Sequence, residues 1–204
     1  MEVKNKAALN VAVGSSGSGK SHWIKAELAA AHPQRLIVCD PDGEYDKHGT
    51  RVRTLAELVR ATVAPQFAVI FTPADDPATG TKQFAFMCAA AWHIATELNR
   101  PLTFAVDELA EYVTAWKAPS SWRRLVKRGR KYGVTVYAGS QRPAEIDKTI
   151  WGNASLIRSG RLSDKNDQAT VGRALGVKPD ELGALSNHAW IALDRNTGRL
   201  RRGL

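Results

Sequence analysis

Residues Gly14-Ser15-Ser16-Gly17-Ser18-Gly19-Lys20-Ser21 read G-x-x-x-x-G-K-S, and the segments on either side leave little choice of fold. Ala7 to Val13 is an apolar run fit for a buried strand, and Lys20 to Ala31 is Ala-rich and helical in pattern. Strand, glycine loop, helix is the setting in which this spacing becomes a phosphate cradle. The glycines let backbone N–H groups turn inward on phosphate oxygens. The helix N-terminus adds its partial positive charge. Lys20 is expected to reach the β- and γ-phosphates of ATP, and Ser21 to ligate Mg²⁺. A flexible Gly/Ser linker would not be clamped between a strand and a helix.

The rest of the chain repeats the alternation of strand and helix, which predicts an α/β fold with a doubly wound, mostly parallel sheet. Strands are expected at 35–39, 67–71, 102–106, 134–138 and 156–161. Helices are expected at 55–63, 82–98, 121–132 and 165–175, with 72–81 a Pro/Asp/Gly loop and Gly133 a left-handed cap. A β-hairpin turning through Asp194 to Gly198 closes the chain. No repeat or linker interrupts residues 1–204, so a single domain is expected.

The formal net charge is +9 and the isoelectric point is near 9.8, which points to a polyanionic partner, most often nucleic acid. No apolar stretch reaches the roughly 20 residues that span a bilayer. Met1 to Lys6 lacks the apolar core of a signal peptide, so the expected place is the cytoplasm. Cys39 and Cys88 lie in apolar segments and read as buried thiols in a reducing compartment. His93 and Glu97 share a helical spacing, but two ligands do not make a metal site.

Two strand ends carry the remaining chemistry. Phe104-Ala105-Val106-Asp107-Glu108 is an apolar strand followed by two acids, a Walker B pattern. Asp107 is expected to hold Mg²⁺ and Glu108 to polarise the attacking water. In Val136-Tyr137-Ala138-Gly139-Ser140-Gln141, Gln141 can reach the γ-phosphate or the water from the strand beside the loop strand. Between them, Lys117, Arg123, Arg124, Lys127, Arg128, Arg130 and Lys131 fall in a stretch without an acid. Helical spacing gathers Arg123, Lys127, Arg130 and Lys131, and separately Arg124 and Arg128. Like charges so close require a counter-charge, for which DNA phosphate and ATP phosphate are candidates, against the plainer reading of a solvated face. Arg195, Arg199, Arg201 and Arg202 form a second cluster, either a DNA or partner contact or a soluble tail.

Taken together, GSSGSGKS, CDPDGEY, AVDE and above all GRKYGVTVYAGSQRP resemble the FtsK–HerA superfamily of P-loop ATPases, over residues 9–193. The compact form is similar to the genome-packaging ATPases of tectivirus-type, internal-membrane icosahedral viruses. The resemblance implies a RecA/FtsK–HerA-like P-loop NTPase fold. It also implies a homo-oligomeric ring, a hexamer, that pumps double-stranded DNA, and the basic run independently offers Arg123, Arg124, Lys127 and Arg128 as DNA contacts. The resemblance places Arg130 in the neighbouring subunit's active site, with Arg128 as the alternative, and suggests a capsid vertex protein as a further partner. Membrane-anchored and winged-helix parts of the cell-division and conjugation pumps have no counterpart in the sequence. The competing reading is an assembly or extrusion ATPase of the filamentous-phage type. A small-molecule kinase fits less well, since Glu108-Leu109-Ala110 offers no acceptor-binding pattern.

Overall fold

Short apolar runs buried on both faces are what a parallel sheet between helices demands. The computed structural model describes residues 7–204, and the reading of Met1 to Lys6 lies outside them. The strands are β1 (Leu9–Val13), β2 (Arg35–Cys39), β3 (Thr50–Val52), β4 (Phe67–Phe71), β5 (Leu102–Val106), β6 (Val134–Ser140), β7 (Leu156–Ser159), β8 (Trp190–Asp194) and β9 (Arg199–Gly203). They form one sheet in the order β3-β4-β2-β5-β6-β1-β7-β8-β9. Pairing is parallel from β3 to β7. It turns antiparallel where β8 joins β7 and β9 joins β8, which is the expected terminal hairpin. The α/β, doubly wound expectation holds.

Among the described residues, seven α-helices cover the sheet: α1 (Lys20–Ala31), α2 (Leu55–Thr62), α3 (Pro77–Thr96), α4 (Ser120–Arg128), α5 (Thr149–Asn153), α6 (Lys165–Leu175) and α7 (Pro179–Gly183). Alternate residues of β1 part to opposite faces, as strand geometry requires. Leu9, Val11 and Val13 join the larger core cluster with Leu58 of α2, Phe84 and Met87 of α3, and Trp122 and Leu125 of α4. Ala12 joins the smaller cluster with Ile24 and Leu28 of α1. The helical cover is therefore lopsided, with α1 packed on the other face from α2, α3 and α4. Cys39 and Cys88 are buried thiols, as read from the sequence.

Five elements depart from expectation. α3 starts at Pro77, inside the stretch read as a loop, because Asp76 accepts from the Thr79 N–H at 2.8 Å and proline suits the first helical turn. The expected helix over 121–132 is α4 followed by a 3₁₀ turn at Gly129–Tyr132, so its basic residues do not share one helical face. β3 and the short helices α5 and α7 carried too little periodicity to read. Among the described residues no helix is long and apolar enough to cross a membrane.

Candidate active site

The carboxyl ends of β1, β5 and β6 meet at one edge, with β6 lying between the other two. That is where open α/β sheets hold their ligands. β1 runs into the glycine loop, and Gly17 (φ 74°) and Gly19 (φ 86°) take left-handed conformations open to glycine. The loop is fastened on both sides. Gly14 N–H donates to the Ser140 carbonyl at 3.3 Å, and Ser15 N–H donates to the Arg161 carbonyl at 2.8 Å. Gly19 caps α1 without a side-chain acceptor, so the first N–H groups of the helix remain open to an anion. The Ser18 hydroxyl is buried without a protein partner, and Lys20 is only 8 % exposed.

The predicted residues from distant parts of the chain come together here. Ser21 Oγ donates to Asp107 Oδ1 at 3.0 Å. Lys20 Nζ stands 3.8 Å from Glu108 Oε2. Both Glu108 oxygens accept from the Gln141 N–H, at 3.0 and 3.1 Å. Burial pushes the Asp107 carboxyl above its ordinary range, against the Ser21 hydrogen bond and the Lys20 charge. Burial does the same to Glu108, against the Gln141 N–H and Lys20. Gly139 is required by close approach, since a Cβ there would drive into the Asp107 carbonyl oxygen.

The cavity over the loop has a volume near 680 Å³ and is lined by Ser16 to His22, Asp42, Glu44, Gln141, Arg158, His188 and Leu204. Of its walls, sequence reasoning named Gln141 and gave no site role to Asp42, Glu44, Arg158 or His188. Glu44 is set by Asp40, which is fully buried and accepts from the Glu44 and Tyr45 N–H groups at 3.0 and 3.1 Å. Arg51 of β3 neutralises Asp40 at 2.6 Å. Arg158 lies over the Trp23 and Trp190 rings, 5.6 and 4.9 Å from their centroids. His188 follows no motif that a single sequence could reveal.

The residues present fit nucleotide and magnesium. An unpartnered buried hydroxyl and a buried lysine face the loop, as phosphate oxygens require. Ser21 and Asp107 supply the two hard oxygens that a magnesium bound mainly by phosphate and water takes from a protein. Burial, and then the neighbouring Asp107 charge, push the pKa of the Tyr45 hydroxyl up.

The basic residues lie elsewhere. Arg123, Arg124, Lys127 and Arg128 are exposed on α4. Arg123 Nε donates to Asp147 Oδ2 at 2.6 Å, so one expected counter-charge is internal. The Arg124 guanidinium sits 5.5 Å from the centre of the Trp92 ring. Arg130, on the 3₁₀ turn before β6, lines a cavity of about 290 Å³ with Lys127 and Arg195 at the amino ends of β1 and β6. Seven residues of β6 separate that end from Gln141, about 20 Å at the usual rise per residue.

No protein-family model matches the chain. Protein P9 of Pseudoalteromonas phage PM2 is 29% identical over 178 residues, which is 87% of this chain and 79% of P9. Among solved structures, the genome packaging NTPase B204 from Sulfolobus turreted icosahedral virus 2, in complex with AMPPCP, matches with a TM-score of 0.78 at 16% identity, covering 97% of each chain. VirB4 of Thermoanaerobacter pseudethanolicus matches with a TM-score of 0.72 at 12% identity, covering 96% of this chain and 87% of its own. The fold is shared with B204 and VirB4, and P9 resembles the chain in sequence.

Proposed function

We propose that the chain is a Mg²⁺-dependent ATPase that drives double-stranded DNA into a viral capsid. The observation that carries the reading is the convergence at one sheet edge of an anion-ready glycine loop, the Ser21–Asp107 pair and the Lys20–Glu108–Gln141 group. The likeness in fold to B204, solved as a genome packaging NTPase, supports the packaging role.

Gly14 to Ser21 would bind the phosphates of ATP, with loop N–H groups and Lys20 offsetting their charge. Ser21 and Asp107 would hold Mg²⁺, which when bound neutralises charge on the β- and γ-phosphates. Glu108 receives the proton of the attacking water. Its raised pKa suits a proton acceptor at neutral pH, and the Gln141 N–H fixes its orientation. Gln141 orients the water or the γ-phosphate from the neighbouring strand. Arg130 stands too far from its own site to act there, which accords with a role in the next subunit of a hexameric ring. The exposed cations of α4 would face DNA phosphates. A capsid vertex would be the docking partner in the host cytoplasm.

The test is ATP turnover measured with and without duplex DNA, and with magnesium chelated. Turnover that rises with duplex and stops with chelation supports the reading. ATP turnover indifferent to duplex DNA would exclude a translocase.

A further inference from the structure

The segment between Glu108 and α4 ends in a tip that the nucleotide chemistry does not use. Thr114 to Lys117 is a closed turn. Thr114 N–H donates to the Lys117 carbonyl at 3.0 Å, and Lys117 N–H donates to Thr114 Oγ1 at 3.1 Å. Trp116 projects from it 96 % exposed, while the other five tryptophans are buried or partly buried. An indole left fully in water is unusual, since its large apolar surface is normally covered.

The tip is bare but its base is rigid. Val113 is fully buried, and Tyr112 stacks on Phe84 with ring centres 4.9 Å apart. Val113 N–H donates to the Leu109 carbonyl at 3.0 Å, one residue beyond Glu108. Ala115 N–H donates to the Glu145 carbonyl at 2.7 Å. Glu145 in turn pairs with Arg142 at 3.0 Å, next to Gln141. The tip is thus braced from both strands whose ends carry Glu108 and Gln141.

Its surroundings define what could cover it. Glu145, the acid that braces the tip, is paired with Arg142, no acid occurs in the sequence between Glu111 and Glu145, and Lys117 and the exposed cations of α4 follow the tip directly. A polyanion matches that field, whereas a basic surface of a second copy would be repelled. We infer that the Trp116–Lys117 turn is a contact with duplex DNA, the indole packing on deoxyribose or base edges and Lys117 on phosphate. This rests on the DNA-translocase reading above and names a surface of it. Displacement of Glu108 or the Gln141–Glu145 segment during turnover would move the tip along with its bracing.

The test uses the full chain and its own fluorescence. Acrylamide should quench an accessible tryptophan component in the free protein, and the component should be absent from Trp116→Phe. Adding a mixed-sequence DNA duplex should shield that component in the unaltered chain. Trp116→Ala should weaken duplex binding about tenfold with the salt slope unchanged, and Trp116→Phe should restore most of the affinity. Lys117→Ala should lower the log–log salt slope by about 1. Duplex that binds while Trp116 stays equally quenchable overturns the inference but leaves the functional reading intact. Shielding of Trp116 by self-association without DNA also overturns it, making a second copy the occupant. No duplex binding at all removes the functional reading and this inference together.

Discussion

At the scale of single residues, the site separates binding from turnover. Lys20 is a buried cation in the glycine loop, so under the proposed function Lys20→Ala is expected to weaken nucleotide binding. Glu108 is hydrogen-bonded by the Gln141 N–H and meets the phosphate loop through the Lys20 ammonium, 3.8 Å away. Glu108→Gln keeps shape and hydrogen-bond acceptance but loses proton affinity. Its ATP affinity is expected to remain within about threefold of the unaltered protein while turnover falls by about 10² or more. Fluorescent-nucleotide binding beside a phosphate-release assay checks both. Wild-type turnover in Glu108→Gln would remove Glu108 from the chemistry. The meeting of Lys20, Ser21, Asp107, Glu108 and Gln141 at one sheet edge was readable because spacing and strand context fix where each residue lies. Arg158 and His188 were not, because a cavity wall assembled from separate loops leaves no local pattern.

Elements show the same contrast between local and long-range information. β2 and β4 were legible to the residue because each is a short apolar run between breakers. β3 was not legible, since Thr50–Val52 owes its place to pairing with β4 and to the Arg51–Asp40 ion pair. The start of α3 was legible in principle, through Asp76 and Pro77, but the prolines and glycine of 72–81 outweighed that signal. The basic face of α4 was misread in part because the partner of Arg123 lies far along the chain, at Asp147. Asp147 also accepts from the Thr149 N–H at 2.8 Å and so holds the first turn of α5. Burial alone would raise its carboxyl, but the Thr149 and Arg123 hydrogen bonds outweigh burial and hold its pKa below the ordinary value. Its contribution is therefore complete above the unfolded carboxylate pKa, near 4, and fades as pH falls through the lower folded value. Asp147→Ala should cost roughly 1–2 kcal/mol at pH 7, from one turn-holding hydrogen bond and one half-exposed ion pair. Urea denaturation at pH 7 and again below pH 3 checks it. A deficit that persists undiminished in acid would rule out the charged interaction as its source.

At the scale of the whole molecule, two sets of cations point to two partners. The α4 surface is expected to meet DNA through its backbone, so binding should weaken with salt and ignore sequence. Lys127→Ala and Arg128→Ala should each lower the log–log salt slope by about 1, while Arg123→Ala should lower it less, because Asp147 already neutralises that guanidinium. Equal losses for all three would mean that the Arg123–Asp147 pair opens on DNA. Arg130 belongs to the other set. It sits at the amino end of β6, about 20 Å by strand rise from the edge that carries Gln141. A guanidinium there can reach a γ-phosphate only across a subunit boundary, where its planar fork suits the charge of the transition state. Fingers of this kind are worth roughly 10³- to 10⁵-fold in turnover. Arg130→Ala is therefore expected to bind ATP and assemble, yet to be inactive alone. Mixed with the equally inactive Glu108→Gln, it should recover activity, because an intact Glu108 from one variant then faces an intact Arg130 from the other. With free exchange and equal amounts, about a quarter of the interfaces in a head-to-tail ring would be complete. Subunit exchange is followed by energy transfer between labelled copies, and turnover is measured on the same samples. Exchange without any recovered turnover would leave Arg130 a contact for DNA or for structure, and Arg128 would become the residue to test.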